Sequence, residues 1–120
     1  MHRLLIIAAL LASTTVVAEE VRLNGPEIEA LLPKIIAHGT VKDTRQKFWP
    51  DGHTEFEEQG HYSFGRWWVD NDRYCSKWPP SEAVSCYGVA QDGEQLIWLP
   101  RQGDRIVDRI TARPLKVQEQ

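Results

Sequence analysis

The sequence predicts a mainly β (α+β) domain: an antiparallel meander or small barrel with one short N-terminal helix and one disulfide. Three observations carry this. Turn signals recur at short intervals through the middle of the chain. One hairpin has its register specified twice, by charge and by apolar pattern. Two cysteines, Cys75 and Cys86, with ten residues between them, stand in a chain that opens like an exported one.

Residues 1–18 read as a secretory signal. Arg3 supplies the positive start, Leu4 to Ala12 the apolar stretch, and Val16-Val17-Ala18 the small-residue pattern that predicts cleavage after Ala18. The apolar run is too short for a membrane span, which needs about 20 residues. No cysteine follows it to take a lipid anchor. The expectation is a periplasmic or secreted protein of 102 residues, 19–120, folded as a single β-rich domain with a loose tail from about residue 114.

Asn24-Gly25-Pro26-Glu27 predicts a helix start. Asn24 can cap, and Glu27 three residues later completes a capping box. Ile28, Leu31 and Leu32 give the helix one apolar face, and Pro33 stops it after about two turns. Trp49-Pro50-Asp51-Gly52-His53 then marks a hairpin turn. With Trp49 opposite His53, Lys47 faces Glu55 and Arg45 faces Glu57 on one surface. Phe48, Phe56, Thr54 and Gln46 share the other. That register puts the charges outside and the phenylalanines inside.

Strand candidates follow in His61 to Val69, Arg73 to Cys75, Ala83 to Ala90 and Gln95 to Leu99, each ended by Gly, Asn, Asp or Pro. Arg105 to Ile110 fits a strand or a short helix equally. Cys75 and Cys86 fall on neighbouring strands joined by the Trp78-Pro79-Pro80 loop. Their spacing matches neither a C-x-x-C redox site nor paired zinc knuckles. In an oxidising compartment the pair defaults to a disulfide, stabilising by roughly 3 kcal/mol through chain entropy.

Charge and motifs exclude several functions. Without Arg3, the chain carries 13 basic and 17 acidic side chains, a balance of −4. Its bases are scattered, which argues against nucleic acid and against an anionic membrane surface. Ser63 lacks the G-x-S-x-G elbow. Glu55 and Glu57 read as a solvated ladder, and no glycine loop cradles a phosphate. No catalytic residue and no cofactor is expected, so the pattern favours binding over catalysis. His53 and His61 lack the close spacing of metal ligands. With Asp51 or Glu55 they supply the alternative reading: a metal- or small-ligand-binding protein, or a small enzyme.

Tryptophan is the compositional anomaly, five in the chain. Trp67 and Trp68 point to opposite faces of a strand. The expectation places Trp68 and Trp98 in the core, and Trp49, His53, Trp67 and Trp78 as the binding candidates, because exposed indoles beside polar groups are what contact surfaces use. The inferred function is an exported binding module that contacts a protein partner, an envelope component or a small ligand through tryptophans.

Leu23-Asn24-Gly25-Pro26-Glu27-Ile28, Gly65-Arg66-Trp67, Tyr74-Cys75 and Cys86 occur in an order that resembles a family of small exported domains of Gram-negative bacteria, of unknown function. The resemblance implies location and fold, and no catalytic residue.

Overall fold

The computed structural model describes residues 19–114. The expected signal segment, 1–18, and residues 115–120 of the expected tail lie outside the described residues. In chain order the elements are β1 (Val21–Arg22), α1 (Gly25–Leu31), a 3-10 turn (Leu32–Lys34), β2 (Ile35–Gly39), β3 (Thr44–Phe48), β4 (His53–Glu58), β5 (His61–Asp70), β6 (Arg73–Lys77), β7 (Val84–Asp92), β8 (Gln95–Leu99) and β9 (Ile106–Ala112). From β2 onward each strand pairs antiparallel with the next, and β9 returns to pair with β2. The result is a closed eight-stranded barrel, with β1 added to the edge of β7. The stretch that fitted strand or helix equally is the strand β9.

The helix starts as its sequence dictates. The Asn24 side chain accepts from the Glu27 backbone N–H at 2.9 Å, and the Glu27 carboxylate accepts from the Asn24 N–H at 3.0 Å. This capping box satisfies two of the N–H groups that a helix start leaves unpaired. A third, on Gly25, donates to Asp72 Oδ1 at 2.7 Å, in the turn between β5 and β6. A Cβ at position 25 would lie 3.1 Å from both that oxygen and Val69 Cγ1, so the bare backbone of Gly25 permits the approach. Anchored there, α1 lays Ile28 across one end of the barrel, and the 3-10 turn adds Leu32; both are fully buried.

The β3–β4 register is as the charges require. Lys47 faces Glu55, Arg45 faces Glu57, and Phe48 and Gln46 face Thr54 and Phe56 on the inner surface. The next hairpin pairs Thr54 with Gly65 and Phe56 with Ser63. Alternation along β5 therefore turns Ser63, Gly65, Trp67 and Val69 inward, and Tyr62, Phe64, Arg66 and Trp68 outward.

This corrects one expectation: Trp67, not Trp68, enters the core. Trp67 is 6 % exposed and its indole N–H donates to the Trp49 carbonyl at 2.9 Å, whereas Trp68 is 38 % exposed. Trp98 is buried as expected. Cys75 and Cys86 are directly opposite on β6 and β7, joined by a disulfide with their Cα atoms 4.0 Å apart.

The strand directions sort the connections into two poles. At one lie α1 and the turns at 49–52, 71–72 and 93–94; at the other lie the loops at 40–43, 59–60, 78–83 and 100–105. The first pole is packed shut. Ile28, Leu32, Phe48, Val89 and Leu96 are all completely buried there, and Phe48 meets Trp67 edge-on at 5.9 Å between ring centroids.

Candidate functional site

The second pole opens into a cavity of about 780 Å³ inside the barrel. That size lies within the range of small-molecule sites. Its walls follow from inward alternation on the strands. β4 contributes Phe56, β6 contributes Tyr74 and Ser76, β7 contributes Tyr87, β8 contributes Trp98 and β9 contributes Asp108.

Trp78, just after β6, folds back over the rim. A Cβ at position 65 would lie 2.7 Å from its indole, so Gly65 provides the floor on which the ring rests. The Trp78 N–H donates to Ser76 Oγ at 3.2 Å, and the ring meets Phe56 edge-on at 6.3 Å. The small inward residues of β5 thus make room for a large side chain from the neighbouring strand.

Most polar groups at the base of the cavity satisfy one another. Gln46 Nε2 donates to Thr54 Oγ1 and to the Tyr74 hydroxyl, each at 3.1 Å, and the Thr54 hydroxyl donates to the Lys47 carbonyl at 2.8 Å. Burial pushes the Tyr74 phenol up to about 12, so it stays a neutral hydrogen-bonding group at any physiological pH. Such a network orders the side chains around it. It makes a rigid floor and offers few free valences to water.

Asp108 is the one acidic side chain among the described residues lining the cavity. Its Oδ2 accepts from the Trp98 indole N–H at 2.8 Å. Burial raises its carboxyl above the ordinary value, and the Trp98 hydrogen bond opposes this. A half-desolvated carboxylate beside aromatic rings is a polar group able to orient a ligand.

The binding candidates named from the sequence do not share one surface. Trp78 is a wall of the cavity rather than a projection from the disulfide loop. Trp67 is buried in the core. Trp49 and His53 adjoin each other across the 49–52 turn, where the Trp49 N–H donates to the His53 carbonyl at 2.9 Å, but this is the closed pole. There Arg113 stacks over the Trp49 ring at 4.3 Å, a cation–π contact that closes the barrel's shoulder.

His53 and His61 are the first residues of β4 and β5 and stand at opposite ends of that hairpin: His53 faces Arg66 and His61 faces Glu58. The length of β4 separates them, roughly 16 Å at about 3.3 Å per residue. A shared His53–His61 metal site is therefore ruled out by the register. Among the described residues no three His, Cys, Asp or Glu side chains gather as metal ligands. His53 instead forms a local pair with Asp51, Nδ1 to Oδ2 at 2.8 Å, and the His53 backbone N–H and imidazole hold the exposed Asp51 carboxyl below its usual value.

The residues that sequence reasoning missed are Gln46 as a floor group, Tyr74, Tyr87 and Asp108. The available signal was the run of small or polar residues at inward positions, Ser63, Ser76 and Ser85, which cannot fill a barrel interior. In comparisons with known proteins, no family model, no curated protein and no solved structure matches the chain.

Proposed function

We propose that the protein is an exported binding protein whose ligand is a small molecule held in the open end of the barrel. The observation that carries this reading is the asymmetry of the interior. The same eight strands pack solidly at one pole and leave about 780 Å³ lined by Phe56, Tyr74, Trp78, Tyr87 and Trp98 at the other. A small domain gains stability by filling its core. Leaving half of it open gives up that gain and creates a preformed site whose aromatic walls are interspersed with polar groups, a character shared with small-molecule pockets.

The test uses the neutral fluorophore N-phenyl-1-naphthylamine and the oxidised protein. Saturable fluorescence enhancement at one site per chain is expected, abolished by Ser85→Trp, which fills the mouth. No enhancement, or enhancement unchanged in that variant, would sink the reading.

A second reading, contact with a protein or envelope component, now draws on a different surface. Tyr62, Phe64 and Trp68 form an outward row on β5 and are all exposed. It expects serine substitutions in that row to abolish crosslinking in periplasmic extracts without changing fluorophore binding.

A further inference from the structure

The charges around the cavity are unevenly satisfied. Two cations stand at its rim, Lys42 and Arg105, and each already has an acidic partner: Lys42 lies 3.6 Å from Glu58, and Arg105 pairs with Glu20. Asp108 lies inside and has no ion-pair partner among the described residues; its contact is the uncharged Trp98 N–H. The cations of the rim are paired with acids, and the interior carries one carboxyl group without an ion-pair partner among the described residues.

The rings around that charge are the other half of the observation. Tyr74 and Trp98 are 4.8 Å apart between centroids, and Tyr87 meets Trp98 edge-on at 6.3 Å. Aromatic faces are electron-rich and attract a cation, more strongly where water is excluded. A carboxylate and several aromatic side chains lining one space are complementary to a diffuse positive charge. They repel a ligand carboxylate and leave a neutral ligand with area burial alone.

Resting on the small-molecule reading above, we infer that the cavity selects ligands bearing a substituted ammonium group on an apolar body, with the ammonium among Asp108, Tyr87 and Trp98 and the apolar part along Phe56 and Trp78. A cation docked there would offset the burial that disfavours ionised Asp108.

The experiment is competition against N-phenyl-1-naphthylamine with three probes of equal chain length: octyltrimethylammonium, octanol and octanoate. The cation is expected to displace the fluorophore at concentrations about tenfold below octanol, with octanoate weakest. Asp108→Asn keeps an acceptor for the Trp98 N–H and is expected to abolish the advantage of the cation over octanol. Tyr87→Leu, which removes one ring face and keeps the charge, is expected to weaken the cation more than octanol. Equal displacement by cation and octanol, or octanoate as the best competitor, would overturn the ammonium assignment and leave the small-molecule reading standing. Fluorophore binding with no displacement by any probe would overturn the assignment too. Absence of fluorophore binding in the first place would remove both.

Discussion

The two poles of the barrel are built on the same strands and differ in what those strands turn inward. Toward the closed pole the inner positions are Phe48, Trp67, Val89 and Leu96, and α1 adds Ile28. Toward the open pole they are Ser63, Ser76 and Ser85, and the aromatic rings of Phe56, Trp78 and Tyr87 line the space these small residues leave. The backbone pairing differs too, since at the open end residues 61–65 of β5 pair with β4 alone and residues 84–87 of β7 with β6 alone. Side chains fill one half of the barrel and leave a cavity in the other.

That contrast can be broken most directly at the plug. Ile28→Ala, which empties a completely buried position, is expected to cost about 2–5 kcal/mol in denaturant unfolding. The disulfide comes next. Replacing Cys75 and Cys86 together by serine is expected to lose about 3 kcal/mol with the closed-pole packing otherwise intact. Asn24→Ala removes the helix cap and should cost about 1 kcal/mol. Ser85→Trp, by contrast, adds a large side chain at the open pole and is expected to change stability by no more than about 0.5 kcal/mol. A penalty like that of Ile28→Ala would mean that the open pole is as closely packed as the closed one.

The smallest effect is a pH slope. Asp108 has a raised folded pKa, so the folded state binds its proton more tightly than the unfolded chain does. Its contribution to stability is therefore fullest below the ordinary carboxylate pKa and falls as pH rises through the raised value. Asp108→Asn is expected to remove that slope, read as the difference between wild type and variant in melting temperature across acidic pH. Identical profiles would place the carboxylate in a more solvated setting.

How much of this was legible in the sequence depends on how local the determining interactions are. The helix start and the β3–β4 register were legible, since Asn24 with Glu27 and the Lys47–Glu55 and Arg45–Glu57 pairs act within a few residues of chain. The facing of β5 was not. Its outward positions carry Tyr62, Phe64 and Trp68, larger in sum than the inward Ser63, Gly65, Trp67 and Val69, so an apolar count points the wrong way. The inward face is small because Trp78, from beyond the next strand, occupies the space above Gly65. The cavity was hidden for the same reason. Asp108 and Trp98 come together only through the β8–β9 register, and an isolated aspartate in a strand gives no sign of what surrounds it.

The seam between β2 and β9 joins Ile35 to Ala112, the most sequence-distant pairing in the barrel, while every other neighbouring pair from β2 to β9 is a simple hairpin. Loop-closure entropy makes such a contact slow to form. Hairpins and the Cys75–Cys86 crosslink can assemble from local chain, but the cylinder stays an open ribbon until its final strand arrives. During that interval β2 and β8 each present unpaired backbone groups able to join another chain. The hazard for this protein lies in the time before closure, and whatever delays β9 prolongs it.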